Sequence, residues 1–159
     1  MIRQLAGACA ALALLVPAAM AQDEAMTTHT ATGSFTVQMV PQGEAGPGAR
    51  TRSAVTKTFT GDFQGSAAGE MLGVFDTAAG SGAYVLIERL EGRLMGREGA
   101  FSLVHRGLMT GGQPDLTISV VPGSGSGGLA GIAGEFTLDI VQGVHNYTLH
   151  YALPSGEGQ

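Results

Sequence analysis

At 159 residues with a formal net charge of −5, the chain is long enough for one domain with a buried core and leaves no room for a second. Its acidic balance argues against nucleic acid and anionic membrane surfaces, which select basic patches. The single cysteine, Cys9, excludes a disulfide framework.

Arg3, the apolar stretch from Leu5 to Val16, Pro17 and then Ala19-Met20-Ala21 ahead of Gln22 read as a secretory signal peptide over residues 1–21. The apolar part falls short of the roughly 20 residues a membrane-spanning helix needs. The expected mature chain therefore begins at Gln22, is periplasmic or secreted, and has no membrane association once the leader is gone. Cys9 leaves with the leader, and loss of Arg3 takes the formal charge to −6.

Residues 22–26 carry nothing apolar enough to anchor them and are expected to be disordered, as is the tail at 155–159. Between them, residues 27–154 form the expected domain. Phe35, Val37 and Met39 alternate with Ser34, Thr36 and Gln38, the period of a half-buried strand. The Gly/Pro-rich segment from Pro41 to about Ser53 reads as a mobile loop. Further strands are expected from about Ala54 to Phe63 and from about Ala68 to Phe75, with a turn over Asp76–Gly82. Ala83–Leu90 is apolar at nearly every position, which suits a strand covered on both sides or at a subunit contact and leaves its inward face undecided. A hairpin around Gly96-Arg97-Glu98-Gly99 returns the chain, placing Phe101, Leu103 and His105 on one face. Leu116, Ile118 and Val120 follow, then a glycine-rich corner with at most one helical turn at Leu129–Ile132. Phe136, Leu138 and Ile140 define the next strand, and Tyr147, Leu149 and Tyr151 the last. About eight evenly spaced strands without helical periodicity favour a closed barrel or a sandwich, and closure removes two aggregation-prone edges.

Several short motifs in one order sharpen this. Thr58-Phe59-Thr60-Gly61-Asp62-Phe63, Gly69-Glu70-Met71, Tyr84-Val85-Leu86-Ile87-Glu88-Arg89, Gly96-Arg97-Glu98-Gly99-Ala100-Phe101, Val104-His105 and the run from Pro122-Gly123 to Ala133-Gly134 resemble small bacterial proteins classed as a domain of unknown function. The known members form barrels similar to plant allene oxide cyclase. The resemblance covers about Thr27 to Leu153. It implies an all-β, closed antiparallel eight-stranded barrel with little or no helix, often oligomeric and without an established activity. No catalytic residue carries over from the plant proteins.

Gly123, Gly125 and Gly128 satisfy G-x-G-x-x-G, but a dinucleotide site needs a following helix within a βαβ unit, and only Leu129–Ile132 could supply one. A barrel corner is the better use, and no cofactor is expected. His105, in phase with Phe101 and Leu103, should point inward and needs partners for its ring nitrogens; Glu88, Glu70 or a tyrosine hydroxyl could serve. Such a pair could be a general base with its orienting carboxylate or an inert core hydrogen bond, and the inert version is favoured because nothing supplies a nucleophile or oxyanion donors. Glu70 and Glu88 could pair with each other for acid/base work if both faced inward, or with Arg89, Arg93 or Lys57 as structural ion pairs. Tyr84, His105, His145, Tyr147 and Tyr151 are the candidate ligand-binding residues, aromatic bodies with polar tips suited to a barrel mouth. His145 and His150 point opposite ways and His29 lies near the frayed end, so no metal site is expected. Three readings stand: a small apolar molecule bound in the mouth or lumen, a cyclase or isomerase-type enzyme built on His105 and Glu88, and a non-catalytic homo-oligomer assembly module using Ala83–Leu90.

Overall fold

The computed structural model describes residues 25–43 and 49–155; the expected leader, the start at Gln22 and the last four residues lie outside them. The strands are β1 (Met26–Pro41), β2 (Arg50–Gly61), β3 (Phe63–Asp76), β4 (Ser81–Leu94), β5 (Arg97–Thr110), β6 (Gln113–Val120), the two-residue β7 (Ser126–Gly127), β8 (Ala133–Val141) and β9 (Val144–Pro154). Each pairs antiparallel with its neighbour in the order β4-β3-β2-β1-β9-β8-β6-β5, and β5 closes back on β4. This is an eight-stranded up-and-down barrel, with β7 added to β5 at Gly99 and Ala100. No helix occurs among the described residues, and Leu129–Ile132 is a turn.

Alternation along each strand selects what fills the barrel. Phe35, Phe59, Phe63, Leu90, Leu94, Phe101, Leu103, Phe136 and Leu149 are buried, while their odd-numbered or even-numbered complements face out. Where a ring must lie across a neighbouring strand, the sequence provides glycine: a Cβ on Gly107 would sit 2.0 Å from the Tyr84 ring, which lies over it from the facing position on β4.

Several boundaries differ from the sequence expectation. β2 begins at Arg50 and β3 at Phe63, since backbone pairing from Arg50↔Val74 to Phe59↔Gly65 continues through residues that carry no apolar alternation. Met26 belongs to β1, where it pairs with Pro154, and Ser155 donates its N–H to Ala25 O, so both expected free ends are tied for at least one residue. The β4–β5 reversal falls at Met95-Gly96, with φ of 49° and 87°. Two consecutive positive φ angles are what a two-residue hairpin loop needs to match strand twist, and so Glu98 and Gly99 already lie in β5.

The two ends of the barrel are built differently. Where β2 and β4 finish and β3 and β5 begin, Phe63, Leu94 and Phe101 fill the lumen, and Leu129 and Ile132 from the 121–132 connection plug it at 0% and 1% exposure. That connection also links the two strands of the thinnest seam, since β6 and β8 share the single register pair Ser119↔Glu135. At the opposite end the inward residues become progressively exposed, from Phe35 at 6% to Met39 at 51%. An aromatic layer divides the halves: Phe136 stacks on Tyr147 at 5.3 Å, and Phe59 meets both edge-on.

Candidate functional site

Above that layer lies a cavity of about 310 Å³, walled mainly by Phe35, Val37, Val55, Met71, Phe75, Leu86 and Leu138. Its polar groups are Lys57 from β2, Tyr84 from β4, His105 from β5 and His145 from β9. Lys57 is inward because it keeps phase with Val55 and Phe59, and Glu88 because it keeps phase with Leu86 and Leu90. At this level of the barrel β3, which lies between their strands, presents only Ala67 and Gly69 to the lumen, so the lysine side chain can cross to the carboxylate. Gly69 faces Glu88 directly, and a Cβ there would meet the Glu88 Cα and Cβ at 2.6 Å.

Glu88 Oε1 accepts two hydrogen bonds, from Lys57 Nζ at 2.7 Å and from His105 Nε2 at 2.8 Å. All three side chains are at least 95% buried, and Glu88 Oε2 has no partner among the described residues. A carboxylate can only accept, so the proton of the His105–Glu88 bond belongs to Nε2 and the Nδ1 nitrogen is left without a protein partner among the described residues. Lys57 Nζ also stands 4.8 Å from the centre of the Phe35 ring, an electron-rich face for a desolvated ammonium.

Burial by itself would raise the Glu88 carboxyl, but the hydrogen bond from His105 and the adjacent Lys57 charge outweigh it and hold the group below its ordinary value. The neighbouring Tyr84 hydroxyl is pushed up, first by burial and then by the Glu88 charge. Because the folded state holds the Glu88 proton less tightly than the unfolded chain, its contribution to stability is complete above the ordinary value of 4.5 and lost as the pH falls from there through the lower folded value. Urea midpoints measured against pH should therefore fall on acidification through that window, and the fall should be shallower in Glu88→Gln.

The candidates from sequence separate cleanly. Tyr84, His105 and His145 line the cavity. Tyr147 does not; its ring belongs to the aromatic layer and its hydroxyl accepts the Phe63 N–H at 2.9 Å. Tyr151 stacks on His29 at 5.1 Å, towards the plugged end. A strand that runs the full height of the barrel spreads residues of one face over depth, and six residues from His145 to Tyr151 span about 20 Å. Glu70 faces outward and pairs with Arg52, since the register sets Gly69, not Glu70, opposite Glu88, so no inward carboxylate pair forms. Arg89 and Arg93 are likewise external, paired with Glu91 and Glu98. Of the basic residues considered for Glu88, Lys57 alone reaches it; its place between Val55 and Phe59 in the alternation was the available signal. The Gly123–Gly128 segment opens onto β7 and a turn, with no helix to hold a pyrophosphate.

A closed eight-stranded barrel with one plugged end and one hollow end over a buried lysine–glutamate–histidine cluster defines a small lumen-bearing β-barrel protein. The sequence from residue 31 to 151 matches the family described as protein of unknown function (DUF3224), and the chain belongs to that family. It is similar to the crystal structure of a protein of unknown function from the DUF3224 family of Shewanella oneidensis MR-1, with 38% identity, a TM-score of 0.73, and coverage of 79% of this chain and 96% of that one. No curated protein matches the sequence.

Proposed function

We propose that the protein binds a small, largely apolar molecule in the hollow half of its barrel, after export from the cytoplasm. The observation that carries this reading is the cavity itself. Its volume of about 310 Å³ lies at the lower end of small-molecule sites, whose usual span is roughly 300–1,000 Å³, and its apolar wall converges on a few polar groups. A lumen that served only as a core would be filled on both sides of the aromatic layer, as the plugged end is. Thermal-shift and calorimetric screens with fatty acids, aromatics and terpenoids should find binders in the wild type. Leu138→Trp, which fills the mouth from a partly buried position, should lose them at unchanged fold; binding that survives this change would place the ligand elsewhere. The export reading rests on Arg3, the apolar stretch and Ala19-Met20-Ala21, and mass spectrometry of the natively produced protein should give an N-terminus at Gln22.

A second reading concerns assembly, and a specific surface favours it. On the outer face of β3 and β4, Leu72, Val74, Val85 and Ile87 are 42–60% exposed, and Leu72 lies opposite Val85 while Ile87 lies opposite Val104. The Arg52–Glu70 and Arg106–Asp115 pairs flank this apolar face on both sides, so each copy would offer both signs of charge at its rim. A second copy of the chain is the proposed cover. Light scattering should report a dimer or larger species that Ile87→Lys dissociates, and a monomeric wild type at micromolar concentration overturns it.

A further inference from the structure

We propose that the cavity catalyses proton transfer at the carbon next to a carbonyl group, taking as substrate a small apolar ketone able to enolise. The inference rests on the cavity being a ligand site and adds a reaction to it. Three features carry it: a fixed imidazole, an ammonium beside it and an apolar wall around both.

His105 lines the cavity with its Nε2–H fixed on Glu88 Oε1 at 2.8 Å, which leaves Nδ1 as the ring's unshared basic nitrogen. This is the geometry of a general base held by a carboxylate. Lys57 Nζ bonds the same carboxylate oxygen at 2.7 Å and therefore lies beside the imidazole, with N–H groups beyond the one that Glu88 uses. A carbonyl oxygen received by Lys57 would place its α-carbon over His105. Apart from Tyr84 and His145 the remaining wall is apolar, so the ammonium acts on a developing oxyanion in a medium where water competes weakly.

The step is balanced without a co-reactant. The α C–H bond breaks and its proton passes to His105 Nδ1. The C–H electron pair forms the carbon–carbon double bond of the enolate, and the carbonyl π pair moves onto oxygen beside Lys57 Nζ. Return of the proton to the same carbon exchanges hydrogen, and return to a conjugated carbon shifts a double bond. Nothing is oxidised or reduced. His105 and Lys57 are the catalytic residues; Glu88, sealed beneath them, is a positioning residue.

Phenylacetone is the probe, with its binding followed by calorimetry and its α-deuteration followed by proton NMR in D2O. Deuterium should enter in proportion to protein concentration and faster than in buffer. His105→Gln, which keeps an uncharged donor for Glu88, should lower the protein-dependent rate by about 10²–10⁴-fold, the usual worth of a general base. Leu138→Trp, which fills the cavity and leaves Lys57, Glu88 and His105 in place, should abolish both binding and exchange. The titratable groups facing His105 are Glu88 and Tyr84 from β4, Lys57 from β2 and His145 from β9. In Glu88→Gln the pH at which the exchange rate rises should move down, a change that loss of packing alone would not produce. Phenylacetone that binds but exchanges at the buffer rate, or a folded His105→Gln protein with the wild-type rate, overturns the proposal while leaving the binding site intact. Failure of phenylacetone and of the screened ligands to bind at all overturns the reading of the cavity on which the proposal rests.

Discussion

Glu88→Gln is expected to lower the unfolding free energy by about 3–5 kcal/mol, the cost of leaving one partner of a buried ion pair uncompensated. The effect should be large because Lys57 has nowhere to go: its side chain is 5% exposed and its ammonium lies between Glu88 and the Phe35 ring. A neutral amide at position 88 could still accept both donors through its oxygen, in the place of Oε1, but it would leave the lysine charge desolvated and without its counter-charge. Adding Lys57→Met to Glu88→Gln removes the stranded charge, so the double variant should be more stable than Glu88→Gln alone, and the cycle should show strong coupling. Urea midpoints of the four proteins measure this. Equal losses in the single and double variants would show that the carboxylate is held by packing and not by its pairing with Lys57. Arg52→Ala serves as the contrast, since Arg52 and Glu70 are both more than half exposed and their loss should leave the midpoint essentially unmoved.

Leu129→Ala should cost about 2–5 kcal/mol, the range for truncating a fully buried leucine. The residue is 0% exposed although it lies in a connection between strands, and together with Ile132 it closes the filled end of the barrel. Its effect should also be directional. β6 and β8 are joined by the Ser119↔Glu135 pair alone, whereas β3 and β4 are in register from Phe63↔Leu94 to Asp76↔Ser81. The 121–132 connection joins the two strands of the thin seam and is held to β5, with Gly128 N bonded to Glu98 O, and within itself, with Leu129 N bonded to Ser126 O. Weakening the plug should therefore speed amide exchange first in β6 and β8 and last in β3 and β4. Uniform acceleration around the barrel would show that the plug contributes only to global stability. Ile140→Ala, at a side chain 57% exposed near the open rim, should change the midpoint little.

Much of the wall was legible in the chain itself. Phe35-Val37, Phe101-Leu103-His105, Ile118-Val120, Phe136-Leu138 and Tyr147-Leu149-Tyr151 face inward as their alternation requires, because a strand offers only two directions and the apolar set must take the dry one. The same rule assigns Lys57 and Glu88 to the lumen. The β4 pattern hid this for Glu88, since Val85 and Ile87 on its outer face are as apolar as Leu86 and Leu90 on its inner one. Strand ends were harder, because backbone pairing carried β2 and β3 past their apolar residues.

What alternation cannot express is height along the barrel axis and which strands meet across it. Tyr147 and Tyr151 share a face with His145, yet one lies in the dividing aromatic layer and the other stacks on His29 beyond it. Glu70 and Glu88 both sit in apolar strands, and a one-residue difference in register sends one to solvent and the other to the centre. Alternation along the chain suffices for an all-β wall with a mainly apolar interior, because any strand pairing must respect a period of two. It took barrel closure to bring Lys57 and His105, 48 residues apart in the chain, onto one oxygen of Glu88 below an open cavity, since that meeting depends on shear and on the small residues of β3 that let a lysine cross between.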